Sequence, residues 1–299
     1  MMKAWIAAAC ALAPLAAAVA APPAALDTLV VVLDAATSRA VAESSYLRSF
    51  GGLQVRESTG STEGHYRSMF LHGRETTLEM FSPGATDLDH PGSDDAGVVG
   101  VELSTDHVGK LDALAGSLRR QGLAFEDHQA RKQLGGRDVD WFRYLVLAGT
   151  TPARGEPTFA VSFSEYAPGF LDEPEAGKAP AAGPQDRVTR ARYHRADYDA
   201  GRPMRDVAGA TLALTREDWR AQRAMLVAAG YRVTEHATGA RAEGDAVFEV
   251  LFVGRAHTGV RRIRFRLSTA PGAGHEERLG ESRLVVGPAA VATWDIPAR

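Results

Sequence analysis

The sequence predicts an α+β protein of repeated βαβββ modules, two forming a cup-shaped mixed sheet, with a third related module after them. Three observations carry this. A β-branched run, a segment of helical period, a glycine and three further strand-like runs follow in that order, and the order recurs. The junctions after the helical segments read Gly52-Leu53-Gln54-Val55, Gly122-Leu123-Ala124-Phe125 and Gly230-Tyr231-Arg232-Val233. In the first two units the strand end and the post-helix glycine lie 19 residues apart, Leu33 to Gly52 and Leu103 to Gly122.

The chain opens with a leader, residues 1–20. Lys3 is the only charged side chain before Asp27, the 17 residues Ala4 to Ala20 are mostly Ala and Leu, and Ala18-Val19-Ala20 is a small-x-small cleavage site. A short basic start, an apolar core and such a site predict a signal peptide, and with it a periplasmic or secreted protein. The alternative is a membrane anchor, but the stretch is at the lower limit for a span and is broken by Pro14.

The first unit begins with Leu29–Leu33 as a strand, then a helix over Ala36 to Phe50. Leu53–Val55, His65–His72 and Thr76–Phe81 are its remaining strands. Glycine just past each helix suits the left-handed conformation of a helix end. The second unit runs Val98–Leu103, a helix over Thr105 to Gln121 with Val108, Leu111, Leu114 and Leu118 on one face, then Leu123–Phe125, Val139–Leu147 and Thr158–Tyr166. These two units, residues 26–166, are expected to close one cup. Residues 167–205, rich in Pro, Ala, Gly and Glu through Gln185, read as an exposed connector.

The third module, 206–299, is expected to pack outside the cup. Ala210–Leu214 is its first strand. Thr215 caps a helix, with Asp218 three residues on in the position of a capping box. Val247–Val253, Arg262–Ser268 and Ser282–Gly287 follow, and Val291–Ile296 adds a terminal strand. Arg261 to Arg266 alternates charge with apolar residues, the pattern of a strand with one solvated face, and suggests edge protection.

Composition narrows the function. Cys10 is the only cysteine and lies in the leader, so the mature chain has no disulfide, thiolate metal site or cysteine nucleophile. The net charge is −3 at pH 7 and no basic stripe is present, which argues against nucleic acid. Beyond the leader no apolar run is long enough to span a membrane. No GxSxG elbow, P-loop, HExxH or post-strand GxGxxG is found. The oligomeric state is not fixed by the sequence.

The runs "LDTLVVVLD", "TTLEMFSPG" and "VVGVELSTD" resemble the first, fourth and fifth strands of the vicinal oxygen chelate (glyoxalase-like) superfamily. "ESRLVVGPAAVATWDIP" and "TTLEMFSP" resemble more closely a bacterial family of uncharacterised exported glyoxalase-like proteins. The resemblance implies metal ligands at four strand positions, which fall near Thr28, Glu79, Val98 and Ser162. Only Glu79 is a good ligand, so no metal and no cofactor are expected.

Alternation along the strands sends Met69, Leu71, Leu78 and Met80 under the helices and turns Tyr66, Ser68, Phe70, His72, Thr77, Glu79 and Phe81 into the cup. Registering the second unit on the first turns Phe142 and Tyr144 inward, while Trp141 and Trp219 read as core residues. Tyr66, Phe70, His72, Glu79, Phe81, Phe142 and Tyr144 are thus the candidate ligand-binding residues, an apolar wall with a few polar groups. The expected function is binding of a small molecule in an apolar cup. The alternative is a lyase, isomerase or dioxygenase-type enzyme using a shifted metal site or Glu79/His72 acid–base chemistry. A third reading is an interaction protein whose last module docks a partner.

Overall fold

The computed structural model describes residues 23–60, 64–86, 88, 96–148, 158–270 and 272–298. The predicted leader, residues 1–20, lies outside them. The first module comprises β1 (Ala25–Val32), α1 (Ala35–Glu43), α2 (Ser45–Gly51), β2 (Gln54–Gly60), β3 (Gly64–His72) and β4 (Thr77–Phe81). The second comprises β5 (Val99–Ser104), α3 (Lys110–Arg120), β6 (Phe125–Leu134), β7 (Arg137–Leu147) and β8 (Phe159–Tyr166). Together they form one curled eight-stranded sheet in the order β2-β3-β4-β1-β5-β8-β7-β6. Within each module the first strand pairs parallel with the last, and β1 meets β5 antiparallel at the join. Two βαβββ modules and one shared cup are what the sequence predicts.

The helices depart from prediction where side chains intervene. The helix expected over Ala36 to Phe50 is split at Ser44, whose backbone is extended and whose Oγ accepts from Leu47 N at 3.0 Å to start α2. Asp34 starts α1 by accepting from the amides of Ala36 and Thr37. The second helix begins at Lys110 rather than Thr105, because the Glu165 carboxylate of β8 accepts from Gly109 N at 2.8 Å and Leu111 N at 3.0 Å. Val108 consequently lies outside the helix and is exposed, whereas Leu111, Leu114 and Leu118 are buried. Gly52, Gly122 and Gly230 end their helices with φ of 68°, 71° and 91°, the left-handed region expected for them.

The third module is complete and the chain then goes further. It consists of β9 (Met204–Leu214), α6 (Arg216–Ala228), β10 (Arg232–His236), β11 (Gly239–Glu243) and β12 (Val247–Phe252). Four more strands follow with no α-helix among them: β13 (Gly259–Leu267), β14 (His275–Leu279), β15 (Ser282–Val286) and β16 (Val291–Asp295). These eight form a second sheet, β10-β11-β12-β9-β13-β16-β15-β14. Without a crossover helix, β13 meets β16 antiparallel instead of parallel. The arginine-rich run expected to guard an edge is β13, in the middle of this sheet. Its Ile263 and Phe265 are fully buried, and Arg264 donates to Val247 O at 2.7 Å on the solvated face.

The second sheet packs outside the cup, on its helix-bearing side. Leu29, Val31, Leu78 and Met80 of the first sheet share one core with Leu212, Val250, Phe265 and Trp294 of the second, all at most 1 % exposed. Helix α6 lies against β8, where buried Gln222 Oε1 accepts from Val161 N at 3.1 Å. Thr215 Oγ1 accepts from Asp218 N as a cap should, but the Asp218 carboxylate reaches Thr158 at 2.8 Å instead of closing a capping box. At the junction with Arg205 a Cβ on Gly73 would stand 2.6 Å from the Arg205 carbonyl oxygen, so only glycine fits there. Among the described residues no helix is long and apolar enough to cross a membrane.

The expected exposed connector is an ordered strap. It carries α4 (Pro168–Asp172), two 3-10 turns and α5 (Arg190–His194). Arg192, 1 % exposed, organises it by donating to the carbonyls of Leu171, Ala179 and Arg187 and to Asp172, at 2.7–3.0 Å. Phe170, Leu171 and Val188 bury a small apolar cluster against Leu134 and Tyr166. The composition is that of a solvated linker. One buried guanidinium satisfying three loop carbonyls orders it instead.

Candidate functional site: a roofed aromatic cup

The inner face of the first sheet encloses a cavity of about 350 Å³. Of the candidate residues, Tyr66, Phe70, His72, Glu79, Phe81 and Phe142 line it, as alternation requires. Tyr144 does not: it lies beyond Phe142 and stacks on His128 at 5.0 Å. Trp141, expected in the core, lines the cavity, while Trp219 is fully buried as expected. The cause is a bulge. Ala130 pairs with Phe142 and Arg131 with Asp140, so Trp141 is the extra residue of β7 and escapes the alternation. Trp141 meets Phe142 edge-on at 4.7 Å, and Lys132 lies 4.6 Å over its ring.

The strap supplies the roof, which sequence reasoning missed altogether. Lys178, Tyr193, His194 and Asp197 all line the cavity. Lys178 and Arg56 of β2 hold Asp197 between them at 3.0 and 2.7 Å. Burial opposes ionisation of Asp197, but the charge on Lys178, His72 and the hydrogen bonds from Arg56 and Lys178 together outweigh it and keep this carboxyl well below its ordinary range. Tyr193 stacks on Tyr166 at 3.9 Å, and burial pushes both phenols well above 10.0.

Beneath the roof runs a buried polar chain. A second bulge, between Leu26 and Thr28, releases Asp27 from the strand pattern and turns it inward, fully buried. Asp27 Oδ1 lies 2.6 Å from His194 Nε2, and Oδ2 accepts from Ser104 Oγ at 2.5 Å and the Tyr166 hydroxyl at 2.6 Å. His194 Nδ1 is 3.1 Å from Thr77 Oγ1, which is 3.2 Å from His72 Nδ1. Among the described residues none bonds to His72 Nε2, which is buried. Burial alone would raise the Asp27 pKa, but His194 and the three hydrogen bonds hold it below 3.8. Burial, reinforced by the neighbouring His194, pushes the His72 pKa down to about 3.

The donor set does not fit the metal site that the superfamily resemblance implies. Val98 precedes β5, and the inward carboxylate of that strand is Glu102, paired in register with Thr28 and Ser162. The inward set is thus Glu79 and Glu102 with two neutral hydroxyls. Among the described residues no three His, Cys, Asp or Glu side chains are grouped to hold an ion. A second concavity of about 480 Å³ lies where the described chain begins, along α3. It does not include His72, Thr77, His194 or Asp27.

Fold and site together define a tandem βαβββ cup, roofed by a strap and backed by a second sheet. The chain belongs to a family of unknown function, DUF5829, whose model matches residues 26–296. No curated protein matches it. Similar solved structures include a hypothetical protein from Staphylococcus aureus, at 9 % identity and a TM-score of 0.48 over 90 % of this chain and 97 % of that one. An extradiol ring-cleaving dioxygenase from B. fuscum is similar at 17 % identity and a TM-score of 0.38 over 81 % of this chain, which spans 59 % of the dioxygenase. A mutant 4-hydroxymandelate synthase from Streptomyces coelicolor is similar at 16 % identity and a TM-score of 0.40, over 88 % and 87 % of the two chains.

Proposed function

We propose that this chain is an exported protein that binds a small, flat molecule in the roofed cup. The observation that carries the reading is the wall itself. Tyr66, Phe70, Phe81, Trp141, Phe142 and Tyr193 surround a space of about 350 Å³, within the range of small-molecule sites, and charged groups stand only at defined points of it. Flat rings stack on such walls with little loss of side-chain freedom. Export is supported by the leader at residues 1–20 and its Ala18-Val19-Ala20 site. The test is a thermal-shift screen of the purified mature protein against small aromatic compounds, beside Phe142→Ala. Hits should raise the wild-type midpoint by several degrees and lose at least tenfold in affinity with the variant. A screen without hits, or hits indifferent to Phe142→Ala, would remove the cup as the binding site.

A further inference from the structure

We propose that Lys178 holds the ligand of the roofed cup covalently, as an imine formed between its amine and an aldehyde carried on a flat ring. The inference rests on the small-molecule reading of the cup and names the functional group its ligand must bear.

Lysine is rare in this chain, which carries 30 arginines and four lysines. Lys3 lies in the predicted leader, and two of the other three, Lys132 and Lys178, line the cup. Fixed positive charge in the strap comes from arginine, with Arg190, Arg192 and Arg195 paired to Asp106, Asp172 and Asp186. A lysine differs from these in one chemical respect. Its amine can shed a proton when buried and then attack a carbonyl carbon, which a guanidinium does not do.

The setting of Lys178 favours that loss. Its side chain is 10 % exposed and lies in the cavity wall, with Nζ 4.0 Å from the centre of the Tyr193 ring. Asp197 Oδ2 is 3.0 Å away, but Arg56 also holds Asp197, at 2.7 Å, so two cations share one carboxylate. The trio carries a net charge of +1. Arg56 keeps its proton, so Lys178 is the cation that can give one up, and Arg56 and Asp197 then remain as a neutral pair. The other groups around it do not alter this balance. Asp27 attracts the ammonium from further off but is already bonded to Ser104, Tyr166 and His194. His72 is uncharged near neutral pH, and the Tyr193 phenol keeps its hydrogen. Burial, reinforced by Arg56, holds the Lys178 amine below its ordinary range against the pull of Asp197. The reaction needs no co-reactant. The ammonium proton goes to solvent and the amine nitrogen adds to the aldehyde carbon. Its two hydrogens pass to the carbonyl oxygen, water leaves, and a C=N bond replaces the C=O bond. Tyr193, Trp141 and Phe142 give the ring that bears the aldehyde flat surfaces to lie on.

The test treats the purified protein with 2-naphthaldehyde near neutral pH, traps imines with cyanoborohydride and locates the label by peptide mass mapping. Exposed Lys110 is the internal reference. Lys178 should label about tenfold faster than Lys110, the gain in free amine from one unit of lowered pKa. Lys178→Arg, which keeps the charge, should abolish that label and leave the one on Lys110. Arg56→Met should slow labelling of Lys178, because Asp197 then holds the ammonium alone, and Asp197→Asn should speed it. A merely accessible amine would follow neither change. An excess of 2-methylnaphthalene, which has the ring without the aldehyde, should protect Lys178 and not Lys110, and Phe142→Ala should slow Lys178. Equal labelling of the two lysines, or a Lys178 rate that Arg56→Met does not lower, would overturn the inference alone. Fast labelling of Lys178 that ignores both 2-methylnaphthalene and Phe142→Ala would overturn the aromatic-cup reading beneath it instead.

Discussion

Asp27 and His72 sit at opposite ends of one chain of bonds, and folding depresses the pKa of both. For His72 the ordinary value of 6.5 falls to about 3, because burial strips water from the imidazolium and His194 lies beside it. Below pH 6.5 the unfolded chain binds a proton that the folded chain refuses. The stability contributed by a neutral His72 is therefore complete above pH 6.5 and is lost as pH falls toward 3. Between pH 7 and pH 4 the loss amounts to about 3 kcal/mol. Urea unfolding at those two pH values should show a drop in wild type that is smaller by about this amount in His72→Phe. An equal drop in both would mean that His72 titrates normally in the folded protein. At this scale the sequence was informative for the regular positions: six of seven candidate residues line the cavity because strands alternate. It failed at Asp27 and Trp141, since each is the extra residue of a bulge and no periodicity reports where a bulge falls.

Among the elements, the strap owes its order to contacts distant in sequence, which is why its composition misled. Its Arg192 leaves three carbonyls without partners if removed. Arg192→Ala should cost about 2–4 kcal/mol of local stability. The expected signature is regional: limited proteolysis should cut within 173–189 well before either sheet is attacked, while far-ultraviolet circular dichroism stays near wild type. Unchanged cleavage would mean that Phe170, Leu171 and Val188 hold the strap alone. The inner strands of the first sheet and α6 were legible, because their apolar spacing matches their period, but the polar edge strands were read too short: β2 as Leu53–Val55 and β6 as Leu123–Phe125. β11 and β14 were not legible. β11 pairs Arg241 with Glu249 on its solvated side, and β14 reads His-Glu-Glu-Arg-Leu with a single buried residue, Leu279, at its end. Strands so polar form because neighbours pair with them, not because their own sequence demands it.

The whole molecule is held by one core shared between two sheets. Leu29 and Met80 lose their cover if residues beyond the strap are deleted, as do the amides of Leu26 and Glu75, which donate to Asp245 and Asp206. The intact chain should unfold in a single transition, with tryptophan fluorescence and circular dichroism coincident. A fragment ending at residue 203 should be expanded, bind hydrophobic dyes and lack near-ultraviolet structure. A fragment with a sharp, two-state melt would show the cup to be independent of its backing sheet.

The bond between Asp27 and His194 joins residues 167 positions apart. Chains are synthesised from the amino terminus, so the first strand exists long before the residue that pairs with its carboxylate. Until His194 arrives, closing the sheet would bury the carboxylate with only Ser104 and Tyr166 to compensate it, leaving Oδ1 unpaired at a cost of several kcal/mol. The early strands should therefore resist premature collapse because of their own aspartate. The cup should then be among the last parts to settle, and a nascent chain cut short before His194 should remain open to chaperones and proteases however many of its strands have been made.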